Sequence, residues 1–266
     1  MSAGDSDLPQ FTVSARGKHA WQPVMPYLEA HFGGLPSGRI ESVFGFVEPC
    51  TLYGGRPYWF RQISDADTRE LNSRGIGVRI PLTTHRVTRA GYEYNRRLLD
   101  KYHRRPNALI VHDDALVPWL RADYPQYRIE ASMLKFLNTH DKIERALGVY
   151  DTVVVPMDMV ENRAFLQTMP HKDRVTLFGN AGCALTCPAR ICYARISRAN
   201  RLLGSRNPFV RWCLGFPFGI WHVRCSQSTI ERRTRGIVDF ELAPLIAMGF
   251  RRFKMLRARP GRQTAF

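Results

Sequence analysis

Five of the six cysteines fall within the last third of the chain, and their side chains are the strongest chemical signal in the sequence. These five are Cys183, Cys187, Cys192, Cys213 and Cys225. Three residues separate Cys183 from Cys187, and four separate Cys187 from Cys192. A thiolate is a metal ligand, whereas a free thiol packs only as a small apolar group, so this spacing predicts a metal centre or an iron-sulfur cluster.

Two other interpretations of these thiols stay open. A structural zinc ion is usually held by cysteine pairs two residues apart, a spacing that Cys183 and Cys187 do not have. Buried thiols without a ligand are the other interpretation, and Cys213 belongs with them in every case. The cluster of radical S-adenosylmethionine enzymes is excluded, because Arg190 stands where its third cysteine would have to be.

The charge of the chain points to anionic partners. Its formal value is +16 and the pI is near 10.1. Such a field attracts RNA or a small anionic substrate, although a charged surface without a partner would have the same composition. The amino-terminal residues, with Asp5 and Asp7, do not fit a secretory signal, and no run of eighteen apolar residues occurs. We therefore expect a cytoplasmic protein without a membrane span.

Short apolar runs alternate with stretches of helical periodicity, which is typical of parallel strands joined by helices. The predicted strands are 40–46, 77–82, 108–112, 128–131, 152–156, 174–178 and 252–256, and the predicted helices are 65–73, 89–102, 115–123, 133–147, 159–168 and 239–248. This order predicts an α/β fold, a (β/α)8 TIM-like barrel in a single domain over residues 1–266. We expect residues 1–15 to be flexible and 202–227 to form a long aromatic-rich loop over the barrel mouth.

Polar residues at the carboxyl ends of the predicted strands are candidates for catalysis, because function in a parallel barrel gathers there. His112 and Asp113 follow one predicted strand, and Glu130 lies near the end of the next. Imidazole and carboxylate groups can transfer protons, so we assign these three side chains as candidate catalytic groups. The alternatives are that Asp113 caps the following helix and that Glu130 pairs with an arginine.

Three cationic side chains are candidates for substrate binding. Arg56, Arg190 and Lys254 are expected near the barrel mouth, where a guanidinium fork or an ammonium group suits a carboxylate. RNA is the alternative partner, because the aromatic residues of 212–222 interleave with arginines and could stack bases. The same aromatic residues would also serve as a packed lid or as a partner interface.

The order of elements and five short phrases resemble the collagenase-like peptidase family U-thirty-two. The phrases are Gly54-Gly55-Arg56-Pro57, Leu71-Asn72-Ser73-Arg74-Gly75-Ile76, Tyr124-Pro125 followed by Glu130-Ala131-Ser132, Gly182-Cys183-Ala184-Leu185-Thr186-Cys187, and Gly249-Phe250-Arg251-Arg252-Phe253-Lys254. The resemblance implies a barrel over almost the whole chain. It extends to members that resemble oxygen-independent hydroxylases of RNA bases or ubiquinone precursors, with a 4Fe-4S cluster and prephenate as the oxygen source.

The resemblance also implies roles for individual cysteines. Cys183, Cys187 and Cys225 match the family's cluster ligands, Cys50 is the preferred fourth ligand, and Cys192 is the alternative fourth ligand. The implied activity is that of an iron-sulfur oxidoreductase, specifically an oxygen-independent hydroxylase, with a homologous heterodimer partner. A noncatalytic RNA- or partner-binding module with a structural metal is the second hypothesis. A peptidase is the third, although no set of nucleophile, base and orienting group stands out in the sequence.

Overall fold

The protein forms a closed barrel of eight parallel strands. The computed structural model describes residues 8–36, 38–185, 192–217 and 238–256, with Cys183 described by its backbone alone. The barrel strands are β1 (Gln10–Ser14), β2 (Ile40–Phe44), β3 (Gly77–Leu82), β4 (Ala108–Val111), β5 (Arg128–Ala131), β6 (Thr152–Val154), β7 (Val175–Phe178) and β10 (Arg252–Met255). They follow one another around the barrel in this order, and β10 pairs with β1 to close it. The (β/α)8 TIM-like barrel predicted from the sequence is confirmed.

Helices connect the strands on the outside of the barrel. They are α1 (Val24–Phe32), α2 (Asp65–Ser73), α3 (Arg89–Tyr94), α4 (Arg96–Tyr102), α5 (Leu116–Asp123), α6 (His140–Leu147), α7 (Arg163–Gln167), α8 (Cys192–Leu203) and α9 (Leu242–Ala247). A short antiparallel pair, β8 (Asn180–Ala181) with β9 (Val238–Asp239), lies outside the barrel. No helix among the described residues has the length and apolarity to cross a bilayer.

Local capping explains where several helices begin and end. Ser64 and Asp67 form a reciprocal capping box at the start of α2, which satisfies two backbone N–H groups that the helix leaves free. The predicted helix over 89–102 is instead two helices that meet at Asn95. The Asn95 amide donates to the Gly91 carbonyl oxygen and to Thr51 Oγ1, so its side chain ties the junction to the loop after β2.

Two predictions about irregular segments need correction. Residues 10–14 are not flexible: they form β1, in which Phe11 and Val13 fill the core between barrel and helices. Residues 1–7 lie outside the described part of the chain. The predicted loop over 202–227 contains helical parts, since α8 extends to Leu203 and a π-helix covers Val210–Gly215, with a turn between them. Residues 218–227 lie outside the described residues.

The interior of the barrel is polar at its centre. Barrels of this type are usually filled with branched apolar side chains. Here Thr12 and Ser42 share a hydrogen bond of 2.9 Å between their hydroxyl groups, and Arg79, Glu130 and Lys254 are buried beside them. Because alternate residues of a strand face opposite sides, the apolar residues between them point outward to the helices. The buried charged side chains therefore occupy the barrel interior, which apolar side chains fill in other barrels of this type.

Candidate functional site

Glu130 lies between two cations at the centre of the barrel. Its Oε1 atom accepts a hydrogen bond of 2.8 Å from Lys254 Nζ, and its Oε2 atom accepts one from Arg79 Nη1. Arg79 also donates from Nη2 to Glu41 and from Nε to Ser42. Burial by itself would raise the pKa of Glu130, but the charges of Lys254 and Arg79 lower it to about 2. The salt bridge considered as the alternative for Glu130 is therefore present.

The low pKa of Glu130 bears on its candidate catalytic role. A general acid or base works best when its pKa lies near the operating pH. Glu130 stays ionised at neutral pH and holds two buried cations in place. Proton transfer by Glu130 stays a prediction, and this pairing weighs against it.

Arg56 lies in the loop after β2, at the carboxyl mouth of the barrel, by which we mean the loops that follow the barrel strands. Its Nη2 atom donates to Gln62 Oε1 at 2.9 Å, and its guanidinium carbon lies 4.7 Å from the centre of the Phe46 ring. Burial and the nearby charge of Arg16 lower the pKa of Arg56 to about 9. No Asp or Glu of the described residues pairs with it, so its charge is uncompensated.

Lys254 adds a second cation beneath Arg56. Its Nζ atom lies 4.8 Å from the centre of the Phe44 ring, and the Arg56 guanidinium carbon lies 6.0 Å from the same ring. Burial lowers the pKa of Lys254, Glu130 opposes that shift, and the charges of Arg79 and Arg56 add to it. Arg56 and Lys254 thus lie near one aromatic ring, and substrate binding by these two cations stays a prediction. Arg190, the third residue of that prediction, lies outside the described residues.

Helix α8 holds the loops of the mouth through one face. Asn200 accepts from the Tyr58 amide at 2.8 Å and donates to the Arg56 carbonyl oxygen at 2.9 Å. Ser197, one turn earlier, shares a hydrogen bond of 2.9 Å with His85 Nδ1. Residues three apart lie on one side of a helix, so both contacts come from the same face of α8. This face therefore fixes the loop that carries Arg56.

Two histidines meet at the ends of β3 and β4. The ring centres of His85 and His112 are 4.6 Å apart. Burial lowers the pKa of His112 to about 4, with further contributions from His85 and Lys135, and burial also lowers the pKa of His85. Both imidazoles are neutral at pH 7, and the buried Nδ1 atom of His112 has no hydrogen-bond partner among the described residues. An imidazole with a free nitrogen is a proton acceptor or a ligand-binding group.

Asp113 is held by the backbone on both sides. Its Oδ2 atom accepts from the Val87 amide at 2.9 Å, and its Oδ1 atom accepts from the Ala115 amide at 3.1 Å. These bonds fasten the loop after β3 to the turn that precedes α5. The N-cap residue of α5 is Ala115, and no side chain of the described residues caps the helix, so the predicted cap by Asp113 is not formed. A catalytic role for Asp113 stays a prediction.

The two alternatives for the fourth cluster ligand lie at opposite ends of α8. The backbone of Cys50 packs against Gly204, just past the end of α8, whereas Cys192 is the first residue of that helix. Twelve residues at 1.5 Å each put them about 18 Å apart. The Cys50 side chain is fully buried, and burial raises the pKa of its thiol to about 12. Cys50 and Cys192 cannot bind the same cluster.

The described residues supply only part of a cluster site. The turn Cys183–Leu185 packs against the turn Met157–Met159 after β6, which is four strands away from the β2 loop that carries Cys50. Cys187 and Cys225 lie outside the described residues, and within those residues no three His, Cys, Asp or Glu side chains converge on one point. Cys50 is buried in the core against the end of α8, on the opposite side of the barrel from that turn, so it fits the cluster poorly. Cys192, at a helix amino terminus where thiolates are stabilised, fits better.

A row of aromatic rings, here called the aromatic rim, borders the carboxyl mouth. His19 stacks on Phe60 at 4.4 Å and on Trp21 at 5.8 Å between ring centres. Trp212 stacks on Phe216 at 4.5 Å, and Phe216 contacts Trp59, the neighbour of Phe60. Trp21 and Trp212 are 77% and 57% exposed, so the rim leaves ring faces open to solvent. Sequence reasoning found the half of this rim that lies beyond residue 211 and missed the half that follows β1 and β2.

Sequence reasoning also missed the roles of His85, Ser197 and Asn200. His85 follows β3 directly, and its position at a strand end was the available signal. Ser197 and Asn200 lie on a helix, and nothing in their local sequence indicates which loops that helix covers.

No protein-family model matches the chain, and no curated protein does. A solved structure that matches is described as that of the U32 peptidase Mk0906. The two chains are 14% identical and superpose with a TM-score of 0.60, over 95% of this chain and 94% of that chain. At this identity the likeness shows the fold alone. The barrel fold expected from the sequence is confirmed, and the iron-sulfur hydroxylase branch of the U32 family gains no support.

Proposed function

We propose that the protein is an enzyme that binds a small carboxylate-bearing substrate at the carboxyl mouth of its barrel. The observation that carries this proposal is the charge of Arg56, which no carboxylate of the described residues balances and which Gln62 and the Phe46 ring hold in place. A half-buried cation without a carboxylate partner loses part of its hydration, and a bound anion offsets that cost. The planar guanidinium group suits a carboxylate through two parallel hydrogen bonds.

Lys254 supports the same substrate class from beneath. Its ammonium group is shared between Glu130 and the Phe44 ring, so it adds positive potential near Arg56. In a site shielded from water this potential acts more strongly on an anion than it would at the surface. A substrate with two carboxylates, such as prephenate, gains from both cations.

His112 is the group we assign to proton transfer. It is neutral at pH 7, and its Nδ1 atom has no hydrogen-bond partner among the described residues. A bound carboxylate nearby would raise its pKa from about 4 towards the operating pH, where a general base works best. His85 packs against its ring, and Ser197 orients His85. His85 and Ser197 are thus positioning residues for His112.

For the reaction itself we propose the oxygen-independent hydroxylation that the family resemblance implies. A 4Fe-4S cluster would supply the electron-transfer chemistry, held by Cys183, Cys187, Cys225 and Cys192. Cys192 replaces Cys50 in this set because the Cys50 side chain is buried in the core on the opposite side of the barrel from the turn of Cys183. Two of the four ligands lie outside the described residues, so substrate binding and proton transfer are argued from the barrel's own side chains. Iron and sulfide analysis of anaerobically purified protein tests the cluster separately from substrate binding.

A peptidase is the weaker alternative for this site. The Ser197 hydroxyl and the His85 imidazole form a pair that resembles a nucleophile with its base. However, Ser197 is only 2% exposed on the inner face of α8, so a peptide bond cannot reach its oxygen. No carboxylate of the described residues orients His85, and the pair therefore serves better as a structural contact.

Thermal unfolding with added ligands tests carboxylate binding. We expect prephenate and malonate to raise the Tm of the wild-type protein, and acetate at equal ionic strength to have a smaller effect. Arg56→Gln should weaken the binding of both dicarboxylates at least about tenfold, because it removes hydrogen bonds to a charged group. Arg145→Gln, which changes an exposed arginine on α6, is the matched control. Equal binding by the two variants would refute the proposal.

Single-stranded RNA binding is a second candidate function, and the aromatic rim favours it. Exposed rings at stacking distance accept successive bases whatever their sequence. Fluorescence anisotropy of a labelled single-stranded RNA should show binding that weakens with salt. Trp21→Ala and Trp212→Ala should each weaken it, whereas Trp119→Ala on α5 should not. If these rim variants bind like the wild-type protein, the rim does not bind RNA.

A further inference from the structure

The amino-terminal end of the barrel, opposite Arg56 and His112, contains a cavity of about 450 Å³. Its walls come from the segments that precede the strands: Gly75 before β3, Asn107 before β4, Gln126 before β5 and Asp151 before β6. We call it the amino-terminal cavity. It is large enough for a small molecule, and the function proposed for the carboxyl mouth makes no use of it.

The charges that reach this cavity do not balance. Glu41 forms ion pairs with three arginines. Its carboxylate oxygens lie 2.9 Å from the Arg79 guanidinium and 3.0 Å from those of Arg128 and Arg252. Glu130 accepts from Arg79 and from Lys254. Both carboxylates line the cavity, and of these four cations Arg79 and Arg128 line it, whereas Arg252 and Lys254 do not.

One positive charge is left over among the side chains that line the cavity. Alternate residues of a strand point the same way, so Arg128 shares the inward face of β5 with Glu130. Arg128 lines the cavity, and so does Arg105, which has no ionic partner among the described residues. Asp151, the third carboxylate of the wall, is paired with Arg121 at 3.0 Å and does not offset the surplus.

The electrostatic setting of Arg128 agrees with this surplus of positive charge. Burial lowers its pKa first, Arg252 lowers it further, and the attraction of Glu41 does not restore it. A group in this position gains from an added anion, because the anion offsets the repulsion from Arg252 and Arg79.

We propose that the amino-terminal cavity is a binding site for a small, doubly charged oxyanion, held by Arg105 and Arg128. Phosphate and carboxylate oxygens both match the guanidinium fork, so the shared chemistry is a pair of negative charges on planar or tetrahedral oxygen groups. The site lies at the opposite end of the barrel from the proposed substrate site, and its occupancy does not depend on Arg56.

Isothermal titration calorimetry at fixed ionic strength tests this proposal. Pyrophosphate, malonate and acetate are titrated separately into the wild-type protein, Arg128→Gln and Arg105→Gln. We expect a doubly charged anion to bind more tightly than acetate, and each substitution to weaken that binding about tenfold. Tighter binding of pyrophosphate identifies a phosphate ligand, and tighter binding of malonate identifies a carboxylate ligand.

Two further variants separate this site from the rest of the molecule. Arg145→Gln controls for the loss of one positive charge at the surface. Arg56→Gln weakens binding at the carboxyl mouth only, so the titrations are repeated in the Arg56→Gln background. Anion binding that persists there and weakens further when Arg128→Gln is added belongs to the amino-terminal cavity. The proposal is overturned if both dianions bind no more tightly than acetate. It is also overturned if Arg128→Gln and Arg105→Gln, shown by thermal unfolding to be folded, bind like the wild-type protein.

Discussion

The carbonyl oxygen of Cys50 lies 2.1 Å from the point where a Cβ atom on Gly204 would stand. The end of α8 therefore rests directly on the backbone of the loop after β2. This contact fixes one end of the helix, while Asn200 and Ser197 hold the loop that carries Arg56 and the ring of His85. The position of the candidate site depends on this close approach of two backbones.

A methyl group at Gly204 should disturb that approach. Gly204→Ala would place its Cβ against the carbonyl group of Cys50 and 2.7 Å from the Asn200 carbonyl oxygen. Backbone atoms cannot move aside as a flexible side chain does, so we expect the free energy of unfolding to fall by about 1–3 kcal/mol. Urea denaturation of the wild-type protein and the variant measures this change in the free energy of unfolding. Gly34→Ala, with nothing within 4 Å of its new Cβ, should change stability far less.

The fourth cluster ligand can be identified by two substitutions. If Cys192 is that ligand, Cys192→Ala should lower the iron and sulfide content of anaerobically purified protein, and Cys50→Ala should leave both unchanged. The reason is that Cys50 is buried in the core at the opposite end of α8 from Cys192. The reverse pattern would restore Cys50 as the ligand.

The ion pairs of Glu130 should contribute strongly to stability. Glu130→Gln removes the carboxylate and leaves Arg79 and Lys254 buried without it, which should cost about 3–5 kcal/mol in the free energy of unfolding. Glu70→Gln breaks an exposed pair with Arg74 on α2 and should cost at most about 0.5 kcal/mol. A similar cost for both variants would show that the buried carboxylate is not needed.

His112 should make stability depend on pH. Its pKa is lowered in the folded protein from 6.5 to about 4, so the unfolded chain binds a proton between these values and the folded protein does not. The contribution of neutral His112 to the free energy of unfolding is therefore complete above pH 6.5. It decreases as the pH falls towards 4, because the unfolded chain then takes up a proton that the folded protein does not. We expect a loss of about 1–2 kcal/mol between pH 7 and 5, allowing for solvent screening. His112→Gln should remove this part of the dependence, and an unchanged profile would contradict the assignment.

The barrel was predictable because its strands are short apolar runs separated by helical periodicity. β1 escaped prediction because Thr12 and Ser14 face the polar barrel interior, which left only Phe11 and Val13 as an apolar signal. The break at Asn95 depends on a hydrogen bond to Thr51, 44 residues earlier, and no local pattern reveals such a bond.

The candidate site was predictable in its location and not in its pairings. Arg56, His112 and Lys254 could be placed at the mouth from their positions near strand ends. One of the two cations that pair with Glu130, Lys254, is 124 residues away along the chain, and sequence spacing does not define that contact. The amino-terminal cavity also arises from residues of five different segments, so only the folded chain brings its charges together.

The central claim is that Arg56 binds a substrate carboxylate at the carboxyl mouth. The most direct measurement is a crystal structure of the protein soaked with prephenate. We predict one carboxylate about 3 Å from the Arg56 guanidinium nitrogens, with the ligand between the Phe44 side of the barrel and the His112 ring. A structure in which the mouth stays empty while prephenate occupies the opposite end of the barrel would contradict the account.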